Sequence, residues 1–474
     1  MGSSTRSKPH AVCMPLPAQG HINAMIKLAK LLHFKGFHIT FIYTESIYNR
    51  ILASSSPDSL PCSTDFQFET IPDGMMAGDM VSFFESVRDD FADPFGELVK
   101  RLNEPSSGVP PVSCIISDSF TSFTLGVAAE LGIPDVFFCS VSACSYLGML
   151  QYDELIRRGL VPPESERDLS NSYLETSIDW IPGMIKSMRV KDLPNFLQQD
   201  KIFKYFKDEV QSALQATAII MNTFDELEFP VLNRLSAIFP PIYTLGPLNL
   251  LYDHIPDKSL KNVRSSFWKE DHDCLKWLGD RMPQSVIYIN FGSVAVFKNQ
   301  QLIEFGWGIA NSGHDFLWVI RPDIVDGDSA ILPKGFLREI EGRGFLTSWC
   351  PQEEVLTHSS IGGFLTHCGW NSTMESMSFG VPVLCYPYFG DQQTNCRYLC
   401  DEWGIGLEIG DDVRREEVAE KIRELMGGEK GKDMRRNAAK LKENATKASE
   451  VGGSSFLNLE RVIKEVLGKE RSCI

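Results

Sequence analysis

The chain has 474 residues, 43% hydrophobic and 23% charged, enough apolar material for two or three cored domains and too much for a disordered chain. Its 46 Lys and Arg against 62 Asp and Glu leave a formal charge of −16, which repels phosphate backbones and anionic lipid and excludes nucleic acid and membrane surfaces as expected partners. A phosphate-bearing ligand must then be gripped by local dipoles rather than by a general positive field.

The N-terminal stretch MGSSTRSKPH has no apolar core of a signal peptide, and Arg6 stands where a myristoylation signal needs Ser or Thr. Alternation begins at once. HAVCMP (10–15) reads as a strand, INAMIKLAKLLHFKG (22–36) as an amphipathic helix closed by Gly, and FHITFIY (37–43) as a second strand. FQFETI (66–71), VSCIIS (112–117), IPDVFFCS (133–140) and TAIIMN (217–222) are further strands, with helical stretches between them. Such alternation predicts parallel strands joined by crossover helices.

Near residue 246 the texture changes: GPLNLLYDHIPDKSLKNVRSS is polar and poorly periodic, the composition of a linker. Alternation restarts with SVIYINFG (285–292), DFLWVI (315–320), GFLTSW (344–349), GGFLTH (362–367) and VPVLCY (381–386). The expected fold class is α/β, two doubly wound units facing across a cleft. The expected division is 1–248, a linker at 249–268, 269–455, and a C-terminal helix from 456 to 474 that needs a surface to dock on. Cys473, second from the end, does not make a prenylation box, and no apolar run reaches bilayer length. The 12 cysteines form no CxxC pair; Cys396 and Cys400, or Cys368 beside His367, leave a zinc pattern incomplete. They read as reduced thiols of a cytoplasmic protein.

Ligands of doubly wound sheets sit beyond the carboxyl ends of the strands. The most informative junction lies within WCPQEEVLTHSSIGGFLTHCGWNSTMESMSFGVPVLCYPYFGDQ, from Trp349 to Gln392. A strand, GGFLTH, runs through the turn HCGWNS into the helix STMESMSF. Free N–H groups at such a helix start, with the helix dipole, suit a phosphate, and His367, Asn371 and Ser372 add side-chain donors. Glu375, one turn on, suits ribose hydroxyls, and Trp349 can stack a flat base. Singly, each has a plain structural explanation, a core Trp or a Ser-Thr helix cap; the ordered set is what carries weight. A second junction is PLPAQGHINAM. His21 sits where the positive helix end disfavours imidazolium and is expected to lower its pKa, as a general base needs. Asp118, in IISDSF, ends another strand on the same sheet edge and could hold the other ring nitrogen.

The 44-residue stretch resembles the nucleotide-sugar signature of plant family 1 UDP-dependent glycosyltransferases. The likeness extends over nearly the whole chain, through PLPAQGHINAMIKLAKLL, FETIPDGM, IISDSF, DWIPGM, TFDELE, YTLGPL, YINFGSV and FGWGIANSGHDFLWVIRP. It implies the GT-B fold and an inverting, metal-independent transfer, with His21 and Asp118 as the catalytic pair. It implies that Trp349 stacks on uracil, Cys350 and Gln352 bind near base and ribose, and Glu375 holds the ribose. His367, Asn371, Ser372 and the turn at Gly292 and Ser293 would serve the diphosphate, and Gly20 is a further donor-binding candidate. Trp370, Asp391 and Gln392 would meet the sugar, with Gln392 favouring glucose. Phe120, Ser140, Met188, Phe389 and Gly390 are its acceptor-side candidates. The branch resembled acts on terpenoids, cyanohydrins and cytokinins, so the first expectation is a terpenoid (iridoid or diterpenoid) hydroxyl or carboxyl, with a phenolic or flavonoid second. A different UDP-sugar, or a UDP-sugar or aglycone binding protein without turnover, are the alternatives. The implied partners are a UDP-sugar co-substrate and a small lipophilic acceptor, with the chain acting as a monomer and no metal or cofactor.

Two other motifs carry less. Asp326-Gly327-Asp328 has the metal-binding DxD pattern but lies in IVDGDSAILP, a turn-rich loop. GEKGKD (428–433) has the wrong spacing for a P-loop, and no GxGxxG is present.

Overall fold

The computed structural model describes residues 8–54, 64–74, 80–160, 171–194, 200–256, 260, 263, 265–325, 332 and 335–468. The Asp326-Gly327-Asp328 turn, Arg6 and Cys473 lie outside the described residues. The first sheet contains β1 (His10–Met14), β2 (His38–Thr44), β3 (Phe66–Ile71), β4 (Val112–Asp118), β5 (Asp135–Cys139), β6 (Ala218–Met221) and β7 (Ile242–Thr244), in the order β3-β2-β1-β4-β5-β6-β7. The second contains β8 (Val286–Asn290), β9 (Asp315–Val319), β10 (Gly344–Thr347), β11 (Ile361–Thr366), β12 (Val383–Cys385) and β13 (Gly406–Glu408), in the order β10-β9-β8-β11-β12-β13. All neighbouring strands pair in parallel. Strand order reverses between β1 and β4 in one sheet and between β8 and β11 in the other, and a crevice opens at each reversal. His21 and Asp118 follow the first pair; Gly292 and His367 follow the second.

Helix α1 (Gln19–Phe34) decides where the first junction points. The apolar periodicity suggests a start at Ile22; the helix begins three residues earlier, taking in Gly20 despite its poor propensity. Tertiary contacts of Gln19, described below, offset that cost, and His21 is thereby fixed in the first turn. Helix α2 (Leu248–Asp253) lies within the connecting segment. Leu248 and Leu251 are buried, and Leu260 and Val263 join them in the apolar cluster that holds Ile22 and Leu28 of α1. The segment is tied to α1 as well: Lys30 Nζ donates to the Val263 carbonyl at 2.9 Å, and the Phe267 N–H donates to Gln19 Oε1 at 2.7 Å.

The second half contributes α3 (Gln352–Thr357), α4 (Trp370–Phe379), α5 (Gln392–Arg397) and α6 (Ser454–Val462). One buried cluster runs from Phe120, Tyr146 and Phe224 to Trp370, Met377 and Tyr398, so the two halves share an apolar seam. Helix α6 and the turn after it return to the first sheet. Leu459, Val462 and Leu467 are buried beside Tyr243 and Leu245, and each fully buried side chain contributes up to about 1.5–3 kcal/mol. Tyr243 Oη donates to Glu465 at 2.7 Å, and Asn458 Nδ2 to Thr244 Oγ1 at 2.9 Å.

Candidate active site

His21 Nδ1 lies 2.7 Å from Asp118 Oδ2 and 2.8 Å from Ser140 Oγ. Asp118 is fully buried at the end of β4, and its other oxygen accepts the Phe120 N–H at 3.1 Å, which fixes the carboxylate plane. With Nδ1 as the N–H shared by these two acceptors, Nε2 keeps its lone pair. Burial pulls the imidazole's pKa down, but the Asp118 charge and hydrogen bond outweigh it, and the net direction is upward. The expectation of a lowered pKa from the helix end is therefore corrected: a carboxylate in hydrogen-bond contact dominates a partial helix charge. Phe120 stands edge-on to the imidazole, ring centres 6.0 Å apart.

Ser140, expected on the acceptor side, bonds the His21 ring itself. No motif signals this, because the residue follows β5 and reaches His21 only through the sheet. Met188 is fully buried, and its carbonyl accepts the Ile178 N–H at 2.9 Å. Phe389 is partly buried beside Gly390, whose φ is +70°.

Across the cleft, the turn between β11 and α4 places a non-Gly residue, Cys368, at φ +64°. That strained turn aims the first amides of α4 outward. His367 is partly buried in this turn; desolvation, then the nearby Arg321 charge, push its pKa down to about 4, and Nδ1 has no protein partner. It is a neutral imidazole with a nitrogen to spare. Gly292, after β8, has φ +71°, and a Cβ there would sit 2.4 Å from His367 Nε2. Gly292→Ala should displace His367 and strain the loop, weakening UDP affinity about tenfold or more by calorimetry with the fold intact. Arg321 shapes the same loop from behind, donating to the Ser293 carbonyl at 3.0 Å and to that of Ala295. Its only sequence trace is a basic residue two positions after β9.

Gln352 organises the neighbouring subsite. Its Oε1 accepts from Tyr288 Oη (3.2 Å) and Asn290 Nδ2 (2.9 Å), while Nε2 donates to Ser372 Oγ (3.0 Å) and Glu375 Oε2 (2.7 Å). Trp349 is half-buried, one face covered by Trp268 at 4.5 Å between ring centres. Cys350 is buried against Tyr288, Sγ 3.4 Å from its hydroxyl. Trp370's indole N–H is engaged by the Asn222 carbonyl at 2.8 Å, so only its backbone amide, in the first turn of α4, is left for a ligand. Asp391 Oδ2 accepts from Asn395 at 2.9 Å, and burial raises its carboxyl to about 6. Gln392 Oε1 accepts the N–H groups of Tyr388 (2.8 Å) and Phe389 (2.9 Å).

The two junctions meet. Asn371 Nδ2 donates to the Gly20 carbonyl, next to His21, at 2.6 Å. Ser142 Oγ donates to Asn395 Oδ1 at 2.7 Å across the same seam. Among the described residues, the grouping with metal-ligand spacing is Cys368, Cys385 and Cys396, sulfurs within 4.8 Å of one another. It is buried, and burial holds the Cys368 and Cys385 thiols protonated, opposing the thiolates a metal needs.

Residues 97–443 match the family model described as UDP-glucoronosyl and UDP-glucosyl transferase. This chain belongs to that family. The glycosyltransferase is 54% identical to 7-deoxyloganetin glucosyltransferase of Gardenia jasminoides, covering 99% of this chain and 100% of the relative. It is 48% identical to (R)-mandelonitrile beta-glucosyltransferase of Prunus dulcis, covering 98% of each. Its fold matches that of UGT2 of Phytolacca americana complexed with UDP-2fluoro-glucose and pterostilbene, with TM-score 0.78, 28% identity, and 97% and 99% of the two chains covered. The glycosyltransferase thus has the GT-B architecture of a plant UDP-sugar enzyme.

Proposed function

We propose that the enzyme moves glucose from UDP-glucose to a hydroxyl or carboxyl of a small lipophilic plant metabolite, with a terpenoid, iridoid or diterpenoid, as the first acceptor class. The observation that carries this reading is the contact of Asn371 with the Gly20 carbonyl, which brings the phosphate-type helix end beside the His21–Asp118 pair. The names of the relatives, a 7-deoxyloganetin and a mandelonitrile glucosyltransferase, support the acceptor class.

In the proposed reaction the acceptor oxygen attacks the anomeric carbon as the bond from that carbon to the UDP oxygen breaks. His21 Nε2 takes the acceptor proton, Asp118 and Ser140 hold Nδ1, and configuration inverts. Uracil stacks on the uncovered face of Trp349, near Cys350. Glu375 and Gln352 take the ribose. The amides opening α4, with Asn371, Ser372, His367 and the Gly292–Ser293 turn, stabilise the departing diphosphate without a metal. Gly20 approaches the same group through Asn371, whose amide exchanges its carbonyl partner for phosphate. The backbone amide of Trp370, Asp391 and Gln392 meet the sugar. Phe120, Phe389 and Gly390 border the acceptor. Residues 1–248 bind acceptor, 269–455 bind donor, 249–268 join them, and 456–474 close back on the first unit. The acting unit is a cytoplasmic monomer.

The test is incubation with UDP-glucose, EDTA and a panel of iridoid, diterpenoid, cyanohydrin, cytokinin and flavonoid aglycones. A product heavier by one anhydrohexose, largest for a terpenoid, is expected. UDP affinity with no product from any acceptor would instead identify a binding protein, and faster turnover with UDP-galactose, UDP-xylose or UDP-rhamnose would replace the donor.

A further inference from the structure

One face of α1 is built for the opposite half of the molecule. Gly20, Asn23, Lys27 and Lys30 recur at three- and four-residue spacing, which aligns them along the helix. Each has a partner across the crevice or in the connecting segment. Gly20 meets Asn371, Asn23 accepts from Ser265 Oγ at 2.6 Å, and Lys30 holds the Val263 carbonyl. Lys27 Nζ pairs with Glu353 and lies 3.4 Å from Glu375 Oε1.

Glu375 has a demanding position. It is nearly buried, and its neighbours are Gln352 and Glu353 from α3, Tyr288 from β8 and Lys27 from α1. Gln352 is neutral, Tyr288 is a buried phenol, and Glu353 repels a second negative charge. Among the described residues, Lys27 is the cation paired with this carboxylate, and Lys30 beside it has its own carbonyl partner. An acid left neutral here would accept ribose hydroxyls poorly.

Resting on the proposed ribose role of Glu375, we infer that Lys27 is a positioning residue for the nucleotide: it keeps Glu375 ionised and makes closure of the amino-terminal half part of UDP binding. The cation that balances the ribose subsite's carboxylate therefore comes from the opposite domain. Burial pushes the Glu375 carboxyl above the usual range and Lys27 pulls it back. Without Lys27 the carboxyl rises further. Donor affinity is then lost as pH falls through that higher value, so the loss sets in nearer neutrality.

The experiment compares Lys27→Met, Lys27→Arg, Glu353→Gln and the Lys27→Met/Glu353→Gln pair by steady-state kinetics between pH 6 and 8. Lys27→Met is expected to raise the KM for UDP-glucose about tenfold at pH 7, and more at pH 6, with kcat within about twofold. Lys27→Arg should stay within about threefold of the parent, and the double variant should recover part of the loss because the like charge is gone. A KM ratio flat across pH, or a loss confined to kcat, would overturn the inference. Should Lys27→Met melt early, Glu353→Gln alone decides: a lower donor KM at pH 6 supports the charge balance and an unchanged one refutes it. Glu375→Gln is the control for the underlying reading; if it leaves donor KM untouched, the ribose assignment fails, whatever Lys27 does.

Discussion

His21→Ala should lower kcat by about 10²–10⁴-fold, equivalent to roughly 3–5.5 kcal/mol of barrier, while UDP affinity stays within about twofold. The argument is geometric. Nδ1 is engaged by Asp118 and Ser140, so Nε2 is the ring atom available for an acceptor proton. Among the described residues the imidazole's hydrogen-bond partners are Asp118 and Ser140, neither of them on α3 or α4, so its loss leaves the donor subsite standing. Single-turnover rates and calorimetric UDP titration separate the two effects. A variant keeping more than about a tenth of kcat would remove His21 from the role of base.

Asp118→Asn should act differently on rate and on pH dependence. The base must be neutral, so activity falls as pH drops through the His21 pKa, which Asp118 holds above the ordinary imidazole value. Removing the charge lets burial prevail, and the acid limb of kcat against pH should move to lower pH. The plateau should nevertheless fall about 10²-fold or more, because an amide can present N–H₂ to Nδ1, favour the wrong tautomer and leave the nascent cation uncompensated. A lower plateau with an unmoved acid limb would mean that Asp118 orients the ring without tuning it. An unchanged plateau would separate Asp118 from catalysis.

Much of the fold is written in apolar runs. Eleven runs read from the sequence correspond to strands, most within one or two residues at their ends, because interior parallel strands are apolar on both faces. The two strands that escape, Ile242–Thr244 and Gly406–Glu408, are three-residue edges, too short to show any period. The burial of the connecting segment escapes for a related reason: Leu248, Leu251, Leu260 and Val263 are spaced by no regular period, yet each finds the apolar cluster that α1 shares with the sheet. The donor-side residues were legible because turn, helix start and stacking platform follow one another along 44 residues. Lys27, Arg321 and the contact of Ser140 with His21 were not. Each acts on a residue more than 20 positions away, and long-range pairing leaves no local pattern.

Helix α6 has a mechanical consequence. The polypeptide passes between the halves once near residue 250 and again near 450, where α6 anchors against Tyr243 and Thr244. Two tethers suppress free swivelling and leave rocking about the line that joins them as the softest motion. Cutting the chain before Ser454 would remove the second tether, bare an oily stripe on the outer strand, and convert a guided jaw into a loosely strung pair.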